Sequence, residues 1–437
     1  LTVEWPGGAV QTFDDLAVDR KLTITEPSSP SVAAVVPPAA LGQVAVGTTA
    51  GASINRSPQF DELKQVPPNT ARFERTPARA DFDRDGQLDE FIGAGAQPGK
   101  YPVAGHSALL ANRDGKLVDV TDTLAPGLRE IGIVTAALWS DVDADGWPDL
   151  LVACEWGRVS CFHNHQGQRF EDWTEKLGFS SGGTGWWTAL AAADFNGDGR
   201  LDYVAGNVGL NTQYRADPEH PALLFLGDFA GRGRPQLIEA YYEGDKLYPW
   251  RTRKELGAQI PSVLKRYSRN DTYARAGLTE IVGADTLAAA QRFTATELRS
   301  GVFLSQGDGT LHFEPLPRIA QIAPSTSIVI ADFDGDGRAD IYAVQNSPAP
   351  NGGHERFDGG VSQLLLGDGH GHFTPVPPAE SGLIVPGTGN SVVVTDFDHD
   401  DWTDLVVTRA DGQIRAFHNR GVPGHHPGPT AKAKSQP

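Results

Sequence analysis

A nine-residue pattern of acids returns five times along the chain: Asp81-Asp83-Asp85-Gly86-Asp89, Asp141-Asp143-Asp145-Gly146-Asp149, Asp194-Asn196-Asp198-Gly199-Asp202, Asp332-Asp334-Asp336-Gly337-Asp340 and Asp396-Asp398-Asp400-Asp404. Hard oxygen donors at alternate positions suit Ca²⁺, which takes six to eight oxygens, and the Gly lets the backbone turn sharply enough for the carboxylates to face one centre. The pattern reads as a calcium loop used as a structural repeat. Its expected ligand sets also take in the seventh positions, Gln87, Trp147, Arg200, Arg338 and Trp402. In the fifth loop Asp401 stands where the turn glycine belongs, a position that Asp tolerates better than most residues.

An EF-hand would need a Glu at the twelfth position and a helix on each side. Here the twelfth residues are Ile92, Val152, Ala205, Ala343 and Val407, all apolar, and short β-type runs such as LLVA after Asp149 and SIVIA before Asp332 flank the loops. Strand, acidic loop, strand is therefore the unit. A solvated run of surface acids would not keep period-two acids, the glycine and the strand flanks together. A sixth, worn copy starts at Asp228; it keeps Gly233 but has Ala230, Arg232 and Gln236 where ligands should be. It is expected to hold its shape without metal, with the Arg232 charge standing in for the ion.

Between the loops a second signal recurs in ANRDGKLVDV at 111, NHQGQRFEDW at 164, QGDGTLHFEP at 306 and GDGHGHFTPV at 367. Each is a turn followed by an alternating strand, the mark of a β-hairpin. One repeat then gives a four-stranded antiparallel sheet, and such a sheet recurring every 50 to 65 residues is a propeller blade. The expected fold is all-β, a propeller with six blades at about 75–125, 134–178, 187–220, 221–318, 326–378 and 390–420, residues 28–70 supplying a seventh or a closing strand. The expected domains are a two-stranded β module at 1–27, a Pro/Ala-rich linker at 28–66, the propeller at 67–421 and an unstructured tail at 422–437. Residues 252–300 interrupt the fourth blade with helices carrying Leu256, Ile260, Leu264 and Tyr267 on one face and Lys254, Lys265, Arg266 and Arg269 on the other, serving either as a packing insert or as a lid.

Composition narrows the function. The chain has 437 residues, 39% of them apolar, and a formal charge of -18; Nineteen of its 55 acids are ligand candidates in the loops. Five Ca²⁺ would bring the charge to about -8, so much of the acidity is ligand. No basic stripe offers a nucleic-acid surface, and no run of 18 apolar residues offers a membrane span. The sequence opens at Leu1 and holds no Met, which reads as a processed product or fragment. Calcium modules of low affinity work outside the cytosol, so an extracellular, cell-surface or periplasmic location is expected. With Gly157-Arg158 as a two-residue hairpin turn, Cys154 and Cys161 would lie opposite each other, favouring a cross-strand disulfide; two buried thiols are the alternative.

The DFDGDG-type loops resemble FG-GAP/VCBS repeats, and WPGGAVQTFDDLAVDRKLTITE is similar to the end of the ASPIC/UnbV module that accompanies them in bacterial cartilage-acidic-protein-like proteins. TAALWSDVDADG, GWWTALAAADFNGDGRLDYVAGNVGLNT and AYYEGDKLYPW with its basic helical insert look like the large bacterial members. The resemblance implies a calcium-loaded propeller, exported and engaged in adhesion or glycan contact. Calcium is expected to be structural, since four carboxylates leave an ion little open coordination.

The leading reading is a binding module for a glycan or protein partner, presenting Trp186, Trp187, Tyr214, Tyr242, Tyr248, Trp250 and Arg251. Blade packing competes for Trp186 and Trp187. The runner-up is a propeller polysaccharide lyase or hydrolase, and a third reading is a structural subunit of an extracellular assembly. No catalytic motif stands out, neither Gly-x-Ser-x-Gly nor His-Glu-x-x-His nor a phosphate loop.

Overall fold

The structure is a computed structural model, and it describes residues 2–4, 10–12, 57–64, 77–348 and 356–422. The linker and the tail fall mostly outside the described residues. Thr2–Glu4 and Val10–Thr12 pair antiparallel, as the opening sequence implies.

Five antiparallel sheets follow one another along the chain. The first holds Ala78–Ala80, Asp89–Ile92, Ala108–Arg113 and Lys116–Asp119. The second is built on Ile133–Ser140, Asp149–Gly157, Val159–Asn164 and Phe170–Asp172. The fourth comprises Ser325–Ala331, Asp340–Gln345, Gln363–Gly367 and Phe373–Val376. In the fifth, Gly389–Thr395, Asp404–Arg409 and Ile414–Asn419 are completed by Phe60–Glu62, so the region before residue 70 does supply a closing strand. All four predicted hairpins form, for instance with Arg113 paired to Lys116 across Asp114 and Gly115, both at positive φ.

The third sheet corrects the expected blade boundaries. It joins Ala189–Ala193 and Asp202–Gly206 to Gly301–Ser305 and Leu311–Pro315, so residues 187–220 and 221–318 are not two blades. Between Gly206 and Gly301 runs an insert with its own sheet, ordered Lys246–Pro249, Gln236–Glu243, Ala222–Gly227, Gln291–Ala295. The worn loop at Asp228 belongs to this insert. Its helices, from Arg253–Gln259 to Ala284–Ala288, pack Leu256, Ile260, Val263, Tyr273, Leu278 and Ile281 onto Leu223, Phe225, Ile238 and Ala240 of that sheet. The helices thus pack within the insert, and the expected apolar face is corrected at one position, Val263 being buried and Leu264 exposed.

In the second to fifth main sheets the second strand explains its own sequence. Buried on both faces between neighbouring sheets, it reads as a continuous apolar run, as in Leu150 to Ala153 or Leu405 to Val407, where a half-exposed strand would alternate. Separate clusters of buried apolar side chains join the first sheet to the second, the second to the third, the third to the fourth and the fourth to the fifth. Among the described residues none joins the fifth to the first.

First strands of successive sheets lie side by side. A Thr fastens three of these junctions: the hydroxyls of Thr135, Thr188 and Thr326 donate to the carbonyls of Trp187 (2.6 Å), Ser325 (2.5 Å) and Gly389 (3.1 Å). The cysteines face different junctions, Cys154 in the cluster toward the first sheet and Cys161 in that toward the third. The expected disulfide is absent and both are free, buried thiols. A left-handed residue at Trp156 (φ 55°) widens the turn, so that Cys161 pairs with Leu151 instead of Cys154.

Candidate functional site

The acidic loops all join the first strand of a sheet to its second, which sets them at one end of the sheets. The insert leaves from the far end of the strand Asp202–Gly206, so it occupies the opposite end. The molecule thus offers two candidate sites.

Each loop is wound by its own carboxylates. The first Asp accepts the sixth-position N–H: Gly86 to Asp81 at 2.9 Å, Gly146 to Asp141 at 2.9 Å, Gly199 to Asp194 at 2.9 Å, Gly337 to Asp332 at 2.8 Å and Asp401 to Asp396 at 3.2 Å. That residue is left-handed every time, Asp401 included at φ 70°. The fifth-position acid accepts the seventh N–H, from Gln87, Trp147, Arg200, Arg338 and Trp402. Because Trp has no side-chain oxygen and Arg only donors, a ligand role common to the seventh positions has to come from the backbone carbonyl. The oxygens of Asp81, Asp83 and Asp85, of Asp141, Asp143 and Asp145, and of Asp332, Asp334 and Asp336 each gather within 4.8 Å of one another. In the third loop Asn196 uses its amide nitrogen on Ser305 and its oxygen on the Asp198 N–H.

The ninth acid is the loop's anchor. Asp89, Asp149, Asp202, Asp340 and Asp404 are all buried. One oxygen accepts the second-position N–H, as from Phe333 to Asp340 at 2.8 Å, and the other accepts an N–H from the third strand, as from Gly367 at 2.9 Å. The same double clamp recurs at Asp89 with Phe82 and Asn112, at Asp149 with Val142 and Asn164, at Asp202 with Phe195 and Ser305, and at Asp404 with Phe397 and Asn419. Burial holds these carboxyls above their ordinary range, to about 8 at Asp340, about 7 at Asp149 and about 6 at Asp89 and Asp202. Burial and the charges of Asp336 and Asp332 push Asp334 up to about 7. Such a loop favours any cation that makes its charged form tolerable.

Three observations were not foreseen from the sequence. The fourth position is also left-handed, filled by Gly197 and Gly335 in two loops but by Arg84, Ala144 and His399 in the others. Arg113 reaches over the first loop to Asp83 and Asp85. His163 and His418, each one residue before the third-strand donor, point Nδ1 at the acids of the second and fifth loops. Their signal was the shared tripeptide Phe-His-Asn at 162–164 and 417–419.

The worn loop keeps its shape as expected: Asp228 accepts N–H groups from Arg232 (2.9 Å) and Gly233 (2.6 Å), and Gln236 Oε1 replaces the anchor by accepting from Ala230 (2.9 Å). Arg232 is exposed and takes part through its backbone, which corrects the idea that its charge replaces the ion.

At the opposite end the aromatic candidates divide. Trp187 is buried in the cluster between the second and third sheets, and Tyr242 lies against the insert's helix-covered core. The others form one run of rings: Tyr248 to Tyr241 (6.0 Å between centroids), Tyr241 to Trp250 (4.2 Å), Trp250 to Tyr214 (5.9 Å), Tyr214 to Trp186 (4.8 Å) and Trp186 to Trp156 (4.8 Å). Trp156, Trp186 and Tyr214 are buried, as the packing reading of Trp186 expected, whereas Tyr241, Tyr248, Trp250 and Arg251 are half-buried. Polar groups line the run. Tyr214 donates to Glu239 (2.7 Å), Arg251 stands 3.8 Å from the same carboxylate, and Tyr101 donates to Glu155 (2.5 Å) while accepting from Trp156 Nε1 (2.7 Å). The Trp186 and Trp250 ring N–H groups and Arg251 Nε are buried without an acceptor in the structure.

No curated protein matches the sequence. Among solved structures the chain is similar to an Agrocybe aegerita lectin described for its specific recognition of non-reducing terminal N-acetylglucosamine, at 17% identity over 83% of this chain and 80% of that one, with a TM-score of 0.27. It is also similar to the V. cholerae biofilm matrix protein Bap1, at 8% identity over 79% and 77% with a TM-score of 0.26. A third is the exotype rhamnogalacturonan lyase YesX, at 12% identity over 77% of this chain and 53% of that one, with a TM-score of 0.31. The FG-GAP-like repeat model matches residues 141–205 and 277–343. The second, third and fourth acidic loops lie inside those stretches, and the chain therefore carries FG-GAP-like repeats.

Proposed function

We propose that this chain is an exported β-propeller binding module, in which calcium in the acidic loops braces the sheets and the insert end receives a glycan or protein partner. The calcium part is supported by loop acids gathered within 4.8 Å and by a buried oxygen of Asp141 with no partner in the structure. The residues that would hold the ions are the side chains at the first, third, fifth and ninth positions of each loop, Asn196 among them, with the seventh carbonyl. Calcium supplies charge neutralisation there and ties the first strand of a sheet to its second. The stacked, edge-to-edge order of the sheets supports the propeller, and the pairing of Thr2–Glu4 with Val10–Thr12 supports reading the start as the end of an ASPIC/UnbV-like module of the bacterial type. Export follows from the near-millimolar calcium that such loops use.

The observation that carries the binding role is the half-buried ring face of Tyr241, Tyr248 and Trp250, flanked by Arg251 and Glu239. Aromatic faces edged by donors and acceptors suit a sugar ring, and buried donors lacking acceptors favour a ligand rich in oxygen. The test is a glycan array probed with the intact chain in calcium and in chelator, followed by Trp250→Ala. A retained glycan whose affinity falls by about tenfold or more in the variant is expected. An unchanged affinity, or no glycan retained, would overturn the glycan reading; capture by a purified protein partner that also depends on Trp250 would move it to the protein alternative.

A further inference from the structure

We propose that the second and fifth loops are mixed nitrogen–oxygen sites that prefer a borderline divalent transition ion such as Zn²⁺ to calcium, with His163 and His418 as the nitrogen ligands. The inference rests on reading the loops as cation sites, and it assigns these two a different ion from the rest. His163 Nδ1 lies 3.0 Å from Asp149 Oδ1 and 3.6 Å from Asp143 Oδ2. His418 Nδ1 lies 3.3 Å from both Asp404 Oδ1 and Asp398 Oδ2. Ligand atoms around one first-row ion at about 2.0–2.2 Å stand at separations of this order. Each imidazole groups with two loop acids into a set able to hold a metal.

The bland alternative is that each His merely braces the ninth acid. That acid needs no such help: in the first and fourth loops Asp89 and Asp340 are clamped by backbone N–H groups alone, and the residues matching the histidines are Ala111 and Leu366. Nor would bracing explain why Nδ1 also faces the third-position acid, which takes no part in the clamp. His163 is further fixed in this orientation by stacking on Trp173 at 3.6 Å between centroids, in a buried setting. In the same loop the buried Asp141 Oδ1 has no partner, an acceptor left for an ion. Imidazole suits zinc and its neighbours, whereas calcium takes oxygen, so adding nitrogen tilts selectivity away from calcium.

The experiment titrates the calcium-loaded full chain with Zn²⁺ and measures both metals retained after desalting. His163→Gln and His418→Gln, singly and together, keep a hydrogen-bonding side chain beside the anchor and so guard the fold; His425 and His426 remain in every variant, so surface uptake cancels. Two zinc ions per chain displacing two calcium ions are expected. The double variant should lose at least about 10–100-fold in zinc affinity, the range for disturbing even an outer partner of a metal site, with its calcium affinity unchanged. A Co²⁺-loaded chain should show paramagnetically shifted imidazole resonances that disappear one by one in the single variants. Calcium filling every loop with no zinc exchange, or equal zinc uptake by wild type and double variant, would overturn this proposal and leave the calcium reading standing. Zinc at the two His loops without calcium anywhere would do the reverse.

Discussion

Asp334 and Asp340 belong to one loop, yet the loss of the first should be felt only with the ion present and the loss of the second with or without it. Asp334 makes only a 3.1 Å bond from the Asp336 N–H, and it sits among like charges that burial intensifies. Its value lies in the ion. A calcium site at a hundredfold excess of free ion over Kd adds about 2.7 kcal/mol, so Asp334→Ala should cost up to about that much in calcium and close to nothing in chelator. Removing one repelling carboxylate even favours the metal-free variant slightly. Asp340 instead clamps the buried N–H groups of Phe333 and Gly367. Asp340→Ala leaves both unpaired at about 1–3 kcal/mol each, so about 2–6 kcal/mol is lost in chelator, with the ion's share added in calcium. Thermal unfolding of both variants and wild type, in about 1 mM calcium and again in chelator, separates the two roles. If Asp334→Ala lowers Tm equally in both media, it is not a ligand. If Asp340→Ala is harmless in chelator, the clamp is not what anchors the loop.

The remaining predictions address the loop backbone, the worn copy and the thiols. A Cβ at Gly337 would meet no atom within 4 Å, so Gly337→Ala isolates the strain of its φ of 82° and should cost about 1–2 kcal/mol, read as a lowered denaturation midpoint. The converse change, Ala144→Gly at φ 60°, should stabilise by about 0.5–1 kcal/mol, the relieved strain exceeding the added chain entropy. Asp228→Ala should lower stability by a similar amount in calcium and in chelator, since Asp228 holds two backbone N–H groups and no ion; a calcium-dependent loss would mean that the worn loop is filled. Mass and thiol titration should find two free cysteines, reactive only after unfolding because burial pushes Cys154 up to about 12 and Cys161 well above the usual thiol range. A mass gain of two hydrogens on reduction would contradict their placement on opposite faces.

What the sequence disclosed was local. Acids at alternate positions with a sixth-position glycine specify a loop through bonds spanning two to seven residues, and Asp401 could be judged from its own conformational tolerance. Hairpins were legible for the same reason, each turn and its strands lying within a dozen residues. The third sheet was not, because Asp202–Gly206 pairs with Gly301–Ser305 across the whole insert, and nothing in either strand announces so distant a partner. The hairpin at 306–310 follows the Asp228 loop most nearly in sequence but completes the sheet of the Asp194 loop, which is why the expected boundaries at 187–220 and 221–318 fail. Register failed by a similar route. One left-handed Trp156 displaced Cys161 from Cys154, although tryptophan is among the last residues expected at positive φ. Among the aromatics, Tyr241 and Tyr242 are adjacent in sequence, so strand alternation had to send one to the ring face and the other to the core; only the register with Tyr248 and Leu247 decides which.

That separation of ends has a consequence for how calcium and ligand are coupled. The loops wind at one end of the sheets, while the ring face belongs to an insert that enters after Gly206 and leaves before Gly301 at the other. The insert's own core is closed by its helices, and its only acidic loop is the worn one, so no loop ion is needed to shape Tyr241, Tyr248 or Trp250. On the proposed function, an ion in the third loop would act on the face through the third sheet, where Asp202 clamps Ser305 and so holds together the two strands from which the insert hangs. Chelation should therefore weaken ligand binding no further than it unfolds that sheet. Asp202→Ala should reproduce the weakening in full calcium, measured as a rise in Kd parallel to the loss of Tm, whereas Asp83→Ala, two sheets away, should lower Tm and leave Kd unchanged at temperatures where the chain is folded. A Kd that rises equally in both variants would show that the ions shape the binding face directly.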